Sequence, residues 1–285
     1  MLTGEYAVLF GAPALALPTK LGQKMQVTPY VQGLKWSSHD PDGIWFKGEW
    51  SKDGQLLSTS NDGVAERLKQ LLDAAQSINP NWQPYAADVH CILEFPTNWG
   101  LGSSSTLIAL VAQWAQVDPL TLFFQSWKGS GYDVAVACAN SAIVYQKTAE
   151  NKAHWTKIDV SPPSPDQWYF VHQNIKQSTY NEISRISDRT FPESLIKDIE
   201  AINHQLLKAK TDDEFESALQ HHETIISNFI GKPMVSEHFA KHHIKAKSLG
   251  AWGGDFLLSR LNNDHIMTLK KLGYDTIIPW VSFIH

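Results

Sequence analysis

The stretch Pro96-Thr97-Asn98-Trp99-Gly100-Leu101-Gly102-Ser103-Ser104-Ser105 decides the reading of this chain, because it sets a two-glycine bend between a strand-like run and a helix-like run. Upstream, Val89, Cys91, Leu93 and Phe95 alternate with His90, Ile92 and Glu94, the period of a strand that buries one face. Downstream, Leu107, Leu110, Val111 and Trp114 recur at three- and four-residue spacing, which predicts an amphipathic helix starting near Ser103. A helix N-terminus offers free N–H groups and the positive end of its dipole, and Gly100 and Gly102 let the backbone approach an anion with no Cβ in the way. The hydroxyls of Ser103, Ser104 and Ser105 can add hydrogen bonds to phosphate oxygens, or one ligand to Mg²⁺. The plainer alternative is a tight turn in which serine caps the helix. A Walker A loop is excluded, since no lysine follows the second glycine.

At 285 residues, with 43% hydrophobic and 19% charged side chains, the chain is long enough for one large or two ordinary globular domains. Its net charge of −5 argues against nonspecific nucleic-acid binding, which depends on Lys and Arg neutralising phosphates. Cys91 and Cys138 lie in apolar runs, with neither C-x-x-C spacing nor a signal-peptide pattern, and are expected to be reduced core residues of a cytoplasmic protein. No apolar run approaches the roughly 20 residues that a membrane helix needs. The expected partner is a small molecule, neither nucleic acid nor membrane, bound by a monomer or homodimer.

Strand patterns occupy residues 8–16, 26–36 and 43–50, the last followed by an Asp53-Gly54 turn signal. Helical patterns follow at 63–75, 104–116 and 120–127, and later at 192–208 and 211–229, with strand-like runs at 168–172 and 276–283. The prolines of Ser161-Pro162-Pro163-Ser164-Pro165 read as a connector, so domains are expected at 1–165 and 166–285. Strands and helices without regular β-α-β alternation predict an α+β fold.

From Pro96 through Ser104 the bend resembles the phosphate loop of the GHMP kinases (galacto-, homoserine, mevalonate and phosphomevalonate kinases), P-x-x-x-G-L-G-S-S-A, with Ser105 in place of the alanine. Other blocks of that family recur in the same order. Gly4-Glu5-Tyr6-Ala7-Val8-Leu9-Phe10-Gly11 resembles its opening block, and Gly129-Ser130-Gly131-Tyr132-Asp133-Val134-Ala135 its S-G-x-D block. Gly250-Ala251-Trp252-Gly253-Gly254-Asp255 resembles the third block, G-A-G-G-G-D, with Trp252 replacing a glycine. Lys176-Gln177-Ser178-Thr179 is a weaker match to a Ser-Thr pair of the mevalonate-type members. The Gly-Tyr-Asp-Val-Ala wording is similar to a mevalonate-kinase-like bacterial subgroup named for Gly-Tyr-Asp-Ile-Ala.

This resemblance implies an N-terminal domain similar to ribosomal protein S5 domain 2, packed on a ferredoxin-like C-terminal domain with the active site in the cleft between them. It implies ATP and Mg²⁺ as cofactors and transfer of the γ-phosphoryl group to an alcohol, mevalonate or a related hydroxy acid. The alternative is a catalytically weak relative that binds nucleotide or metabolite as a regulatory module. Carried over residue by residue, Gly100, Leu101, Gly102, Ser103, Ser104 and Ser105 would hold the nucleotide, with Ser104 toward the metal, and Asp133 would be catalytic. Glu5, Tyr6, Ser130, Gly131, Lys176, Ser178, Thr179, Gly250, Ala251, Gly253, Gly254 and Asp255 would face the substrate.

Two departures stand out. Family members usually carry a lysine just before the opening block, and Met1 stands short of that place, so either part of the first strand precedes this start or the lysine is absent. Where the family has an acidic Mg²⁺ ligand upstream of the aspartate, this chain has Leu122 and Gln125.

Each candidate also has a plainer role. Asp133 would cap a helix beginning at Val134. The third glycine block would be a flexible turn, and Lys176, Ser178 and Thr179 a solvated loop. His238 and His242 have the i, i+4 spacing of metal ligands beside His243 and Glu237, but with Lys241, Lys245 and Lys247 they read as a solvated face, as does His221-His222-Glu223. Trp99, Trp127 and Trp252, each in or beside a glycine block, are core residues or walls of a pocket.

Overall fold

The computed structural model describes residues 1–174, 191–250, 252 and 254–285. In chain order its elements begin with β1 (Ala14–Ala16), β2 (Gln23–Pro29), β3 (Gly33–Asp40), β4 (Gly43–Ser51), β5 (Leu56–Thr59), α1 (Asp62–Ile78) and β6 (Ala87–Leu93). Then come α2 (Ser103–Ala115), α3 (Pro119–Ser126), α4 (Tyr132–Ala139), β7 (Ile143–Ala149), β8 (Lys152–Lys157) and β9 (Trp168–His172). After the residues that are not described follow α5 (Glu193–Lys208), α6 (Asp212–Ile230), β10 (Lys247–Leu249), β11 (Phe256–Arg260), α7 (Asn263–Lys271) and β12 (Ile277–Pro279). Two compact units divide the chain: residues 21–97 with 101–138, and residues 1–20, 98–100 and 139–285. Pro162, Pro163 and Pro165 lie inside the second unit, between β8 and β9.

The unit of residues 21–97 and 101–138 is built on a five-stranded sheet of order β2-β6-β3-β4-β5, antiparallel except where β3 runs parallel to β6. Alternation makes it two-faced. Trp36, Phe46, Trp50, Val89 and Cys91 are buried in one core with Leu68, Leu71 and Leu72 of α1 and Ile108, Val111 and Ala112 of α2. Lys47 and Glu49, the alternate residues of β4, are exposed. Burying side chains of this size contributes about 1.5–3 kcal/mol each. The buried stripe of α2 is Ile108, Val111, Ala112 and Ala115, one step round the helix from the stripe expected, so Leu107, Leu110 and Trp114 lie at its half-buried edge.

The second unit holds two antiparallel sheets, β1-β7-β8 and β10-β11-β9-β12. Val171 and Leu257 of the four-stranded sheet pack with Val235, Phe239, Ile244 and Leu269. Helix α6 is fixed at its start by Thr211, whose Oγ1 accepts the Glu214 N–H at 3.2 Å while the Glu214 carboxylate accepts the Thr211 N–H at 3.2 Å. The next residue ties the helix to β9, since Trp168 Nε1–H donates to Asp212 Oδ1 at 2.8 Å.

Four local expectations change. Residues 8–16 are not one strand: Tyr6 (φ 61°) and Gly11 (φ 90°) leave the extended region, and Ala7–Phe10 form a 3₁₀ turn before the short β1. Residues 26–36 are two strands, β2 and β3, separated by residues 30–32. Residues 276–283 are extended only through β12, whose last residue, Pro279, leads into the helical turn Trp280–Phe283. Cys91 is buried as expected, but Cys138 is exposed; both are free thiols. Among the described residues no single helix is long and apolar enough to cross a membrane.

Thr211→Ala removes half of the α6 capping box and is expected to lower stability by about 1 kcal/mol in urea unfolding, while Thr211→Ser loses much less.

Candidate active site

In the unit that contains α2, the chain enters the helix through Gly102 in the left-handed region, φ 76°, and no side chain caps the helix there. The helix dipole and the leading amides of Ser103, Ser104 and Ser105 are therefore not taken up by an internal cap. The turn is pinned from behind: Thr106 N–H donates to Gly102 O at 2.9 Å, and Thr106 Oγ1–H donates to Gln23 Oε1 of β2 at 2.7 Å. Ser104 is exposed, and Ser103 and Ser105 are half-buried.

Asp133 stands beside this turn. A Cβ placed on Gly102 would lie 3.9 Å from Asp133 Cβ and 4.0 Å from its Cγ. Helix α4 already begins at Tyr132, so Asp133 belongs to its first turn and is not a cap for a helix starting at Val134. The residue keeps some accessible surface, yet desolvation around the carboxyl pushes its pKa up from the ordinary carboxylate value. Ser130 and Gly131 precede it, both buried.

The other unit carries Glu5, Tyr6, Gly100, Gly250, Gly254 and Asp255. Gly100 (φ 66°), Gly250 (φ 73°) and Asp255 (φ 56°) are all left-handed, and the Asp255 carboxyl fills the space where side chains on the two glycines would be. Tyr6 Oη accepts the Trp252 N–H at 3.0 Å, and Trp252 Nε1–H donates to Pro233 O at 3.0 Å, so the opening block and the third glycine block touch directly. Gly254 O accepts Gln173 Nε2–H at 2.9 Å. Lys176, Ser178, Thr179, Ala251 and Gly253 lie outside the described residues.

Glu5 belongs to a buried cluster that sequence reasoning missed. Lys247, 1% exposed at its side chain, donates to Glu5 Oε1 at 2.8 Å and lies 3.5 Å from Glu223 Oε2. Ser248 N–H lies 3.2 Å from both Glu223 carboxylate oxygens. His222 Nε2 accepts the Gly4 N–H at 2.8 Å, which places the ring proton on Nδ1. Burial, with the Lys247 charge adding to it, pushes the His222 pKa well below that of a free histidine; burial pushes Glu223 up. The expected solvated face thus holds for His238, His242, His243, Lys241 and Lys245, and fails for His222, Glu223 and Lys247. A signal was present. His222 continues the buried stripe of Phe215, Leu219 and Ile226 at helical spacing, so its phase along α6 marks it as buried despite its polarity.

Of the tryptophans, Trp99 lies edge-on to Phe256 with ring centroids 5.5 Å apart, and Trp127 takes the Arg67 guanidinium at 5.0 Å. Leu122 is buried in the core, and Gln125 Nε2–H donates to Ser77 Oγ at 2.6 Å.

A comparison with protein-family models gives no match, and one with curated protein sequences gives none. Solved structures do match over nearly the whole chain. Methanococcus jannaschii mevalonate kinase is similar with a TM-score of 0.64 at 16% identity, over 97% of this chain and 92% of that one. Streptococcus pneumoniae phosphomevalonate kinase in complex with phosphomevalonate and AMPPNP gives 0.68 at 13% identity, over 95% and 92%. A D-glycero-D-manno-heptose 1-phosphate kinase of Bacteroides thetaiotaomicron gives 0.66 at 13%, over 99% and 92%. The chain therefore has the α+β fold of the GHMP small-molecule kinases.

Lys247→Met leaves two buried carboxylates without their cation and is expected to cost about 3–5 kcal/mol in urea unfolding. His222, held neutral when folded, takes up a proton more readily when unfolded. Its contribution to stability is therefore complete above the unfolded pKa of about 6.5 and falls as pH drops below it. Glu223, with a raised pKa, has the opposite slope at lower pH, so the two are separated by substitution. His222→Gln can still accept the Gly4 N–H, and unfolding at pH 7.5 and 5.5 is expected to show a smaller acid loss than in the wild type.

Proposed function

We propose that this chain is an ATP-dependent small-molecule kinase that transfers the γ-phosphoryl group to an alcohol, and that the acceptor is mevalonate or a related hydroxy acid. The observation that carries the reading is the approach of Asp133 to Gly102 at the uncapped start of α2. Free helix-start amides beside a carboxylate of raised pKa would suit phosphoryl transfer to a hydroxyl. The mevalonate and phosphomevalonate kinases among the similar structures, and the Gly-Tyr-Asp-Val-Ala wording, support the hydroxy-acid acceptor.

In this reading the N–H groups of Gly102 to Ser105 hold the nucleotide phosphates and spread the charge of a loose transition state. The acceptor oxygen forms a bond to the γ-phosphorus while the bond from that phosphorus to the β,γ-bridging oxygen breaks. The hydroxyl proton passes to the Asp133 carboxylate, and ADP leaves. Late proton transfer asks little of the base, and a raised pKa improves it.

Among the described residues no three His, Cys, Asp or Glu side chains are grouped to hold a metal. The exposed hydroxyl of Ser104 fits a magnesium that arrives with the nucleotide and keeps mainly phosphate and water ligands; bound, it would neutralise phosphate charge. The second reading, a nucleotide-binding regulatory protein, draws on Leu122 being buried and Gln125 being bonded to Ser77 where family members carry an acidic ligand.

A coupled assay with ATP and candidate hydroxy acids separates the two, because nucleotide binding without turnover on any of them favours the regulatory protein. Gly102→Val is expected to abolish nucleotide binding with circular dichroism unchanged, since its Cβ enters the anion's approach and a branched residue resists φ 76°. Ser104→Ala should weaken turnover less severely. For Asp133→Asn, kcat should fall by about 10²-fold or more while nucleotide affinity and Tm stay near wild type. Full activity in that variant removes the catalytic role.

A further inference from the structure

Residues 98–100, the first half of the phosphate loop, pack with the unit that carries the third glycine block, while the loop continues from Leu101 in the other. Two contacts fix that first half. The Trp99 ring lies edge-on to Phe256 at 5.5 Å and tilted against His172 at 5.9 Å, and both of these partners are buried in the four-stranded sheet. Asp255, 7% exposed, is wedged between two glycines. A Cβ on Gly100 would lie 2.5 Å from its Oδ2, and one on Gly250 would lie 2.9 Å from the same oxygen. Asp255 holds φ 56° to do this, a conformation uncommon for a residue with a side chain. Its backbone is tied as well, because Gln173 N–H donates to Asp255 O at 2.8 Å.

The arrangement answers a physical difficulty. Gly100 and Gly102 are the most conformationally free residues of the loop, and a loop that must be ordered when phosphate arrives loses affinity by the entropy of ordering. An indole packed against two sheet side chains next to Gly100, together with a carboxyl filling the space a Gly100 side chain would take, leaves the segment few alternatives before any ligand binds. We infer that Trp99 and Asp255 are positioning residues that pre-set the phosphate loop for a nucleotide, acting through Gly100 and not by contact with the acceptor. This rests on the kinase reading above, and it gives Asp255 a different task from the substrate contact that the motif alone implies.

The test is a clash and its relief. Binding of Mg·ATP is measured by calorimetry, with the acceptor KM and circular dichroism, for wild type, Gly100→Ala, Asp255→Gly, the double variant, Trp99→Ala and Trp99→Phe. Gly100→Ala drives a methyl into the Asp255 carboxyl and should weaken nucleotide binding at least about tenfold. Asp255→Gly suits the left-handed backbone and should weaken it only a few-fold. In the double variant the clash is gone, so affinity should return to within about threefold of Asp255→Gly alone, a non-additivity expected only of residues in contact. Trp99→Ala should weaken nucleotide binding, and Trp99→Phe, which keeps the ring contact, should largely restore it. If Gly100→Ala unfolds, the Trp99 pair and the double variant still decide.

A double variant no better than Gly100→Ala, or Trp99→Ala binding nucleotide as the wild type does, overturns the inference. So does an Asp255→Gly variant with a raised acceptor KM and unchanged nucleotide affinity. A wild-type chain that binds no ATP overturns the kinase reading, and the inference with it.

Discussion

A buried ammonium has to be met by carboxylates, and in the larger unit this requirement ties together segments distant in sequence. Lys247, on a strand with almost no exposed surface, is met by Glu5 from the opening block and by Glu223 from α6. An unpaired charge there would cost several kcal/mol, so the three positions are specified together. His222, one residue before Glu223, extends the constraint to the backbone by accepting the Gly4 N–H. Thr3 joins the same framework through its Oγ1–H, which donates to Asn203 Oδ1 of α5 at 2.5 Å. The opening segment is thus positioned by polar groups that water cannot reach.

In the smaller unit the constraint is steric. Gly102 must be left-handed for the chain to turn out of its strand-to-helix bend, and that turn leaves the start of α2 without a side-chain cap. Asp133, in the first turn of α4, lies at van der Waals distance from the Cβ position of that glycine. Burial of that carboxyl pushes its pKa up from the ordinary carboxylate value.

Much of this was legible in the sequence where the physics is local. The strand before the loop, the helix after it, the helices α1, α3, α5 and α6 and the strand β9 follow from periodicities that neighbouring residues set by themselves. The residues around Asp133 stand out in the sequence through their resemblance to the family's S-G-x-D block. The misreadings share a cause. Residues 8–16 have the apolar content of a strand, but the positive φ angles at Tyr6 and Gly11 bracket a 3₁₀ turn, which one-dimensional alternation does not record. Cys138 sits in an apolar run of a short helix, but between the half-buried Ala137 and the buried Ala139 it faces outward.

Sequence alone places His222, Glu223 and Lys247 on a solvated face, because isolated charges prefer water. In the fold each is buried because the others are, a cooperative arrangement that no single residue type can announce. The same holds for Asp255, whose motif marks it as important while its wedge between Gly100 and Gly250 exists only once three left-handed residues have been brought together. Periodicity and the absence of a Cβ are local properties, so most helices, the α+β class and the two-glycine bend between β6 and α2 could be read without a fold. Which polar groups are buried, which carboxylate stands beside Gly102 and which one packs against Gly100 depend on the tertiary structure, because desolvation and pairing are properties of an environment and not of a residue.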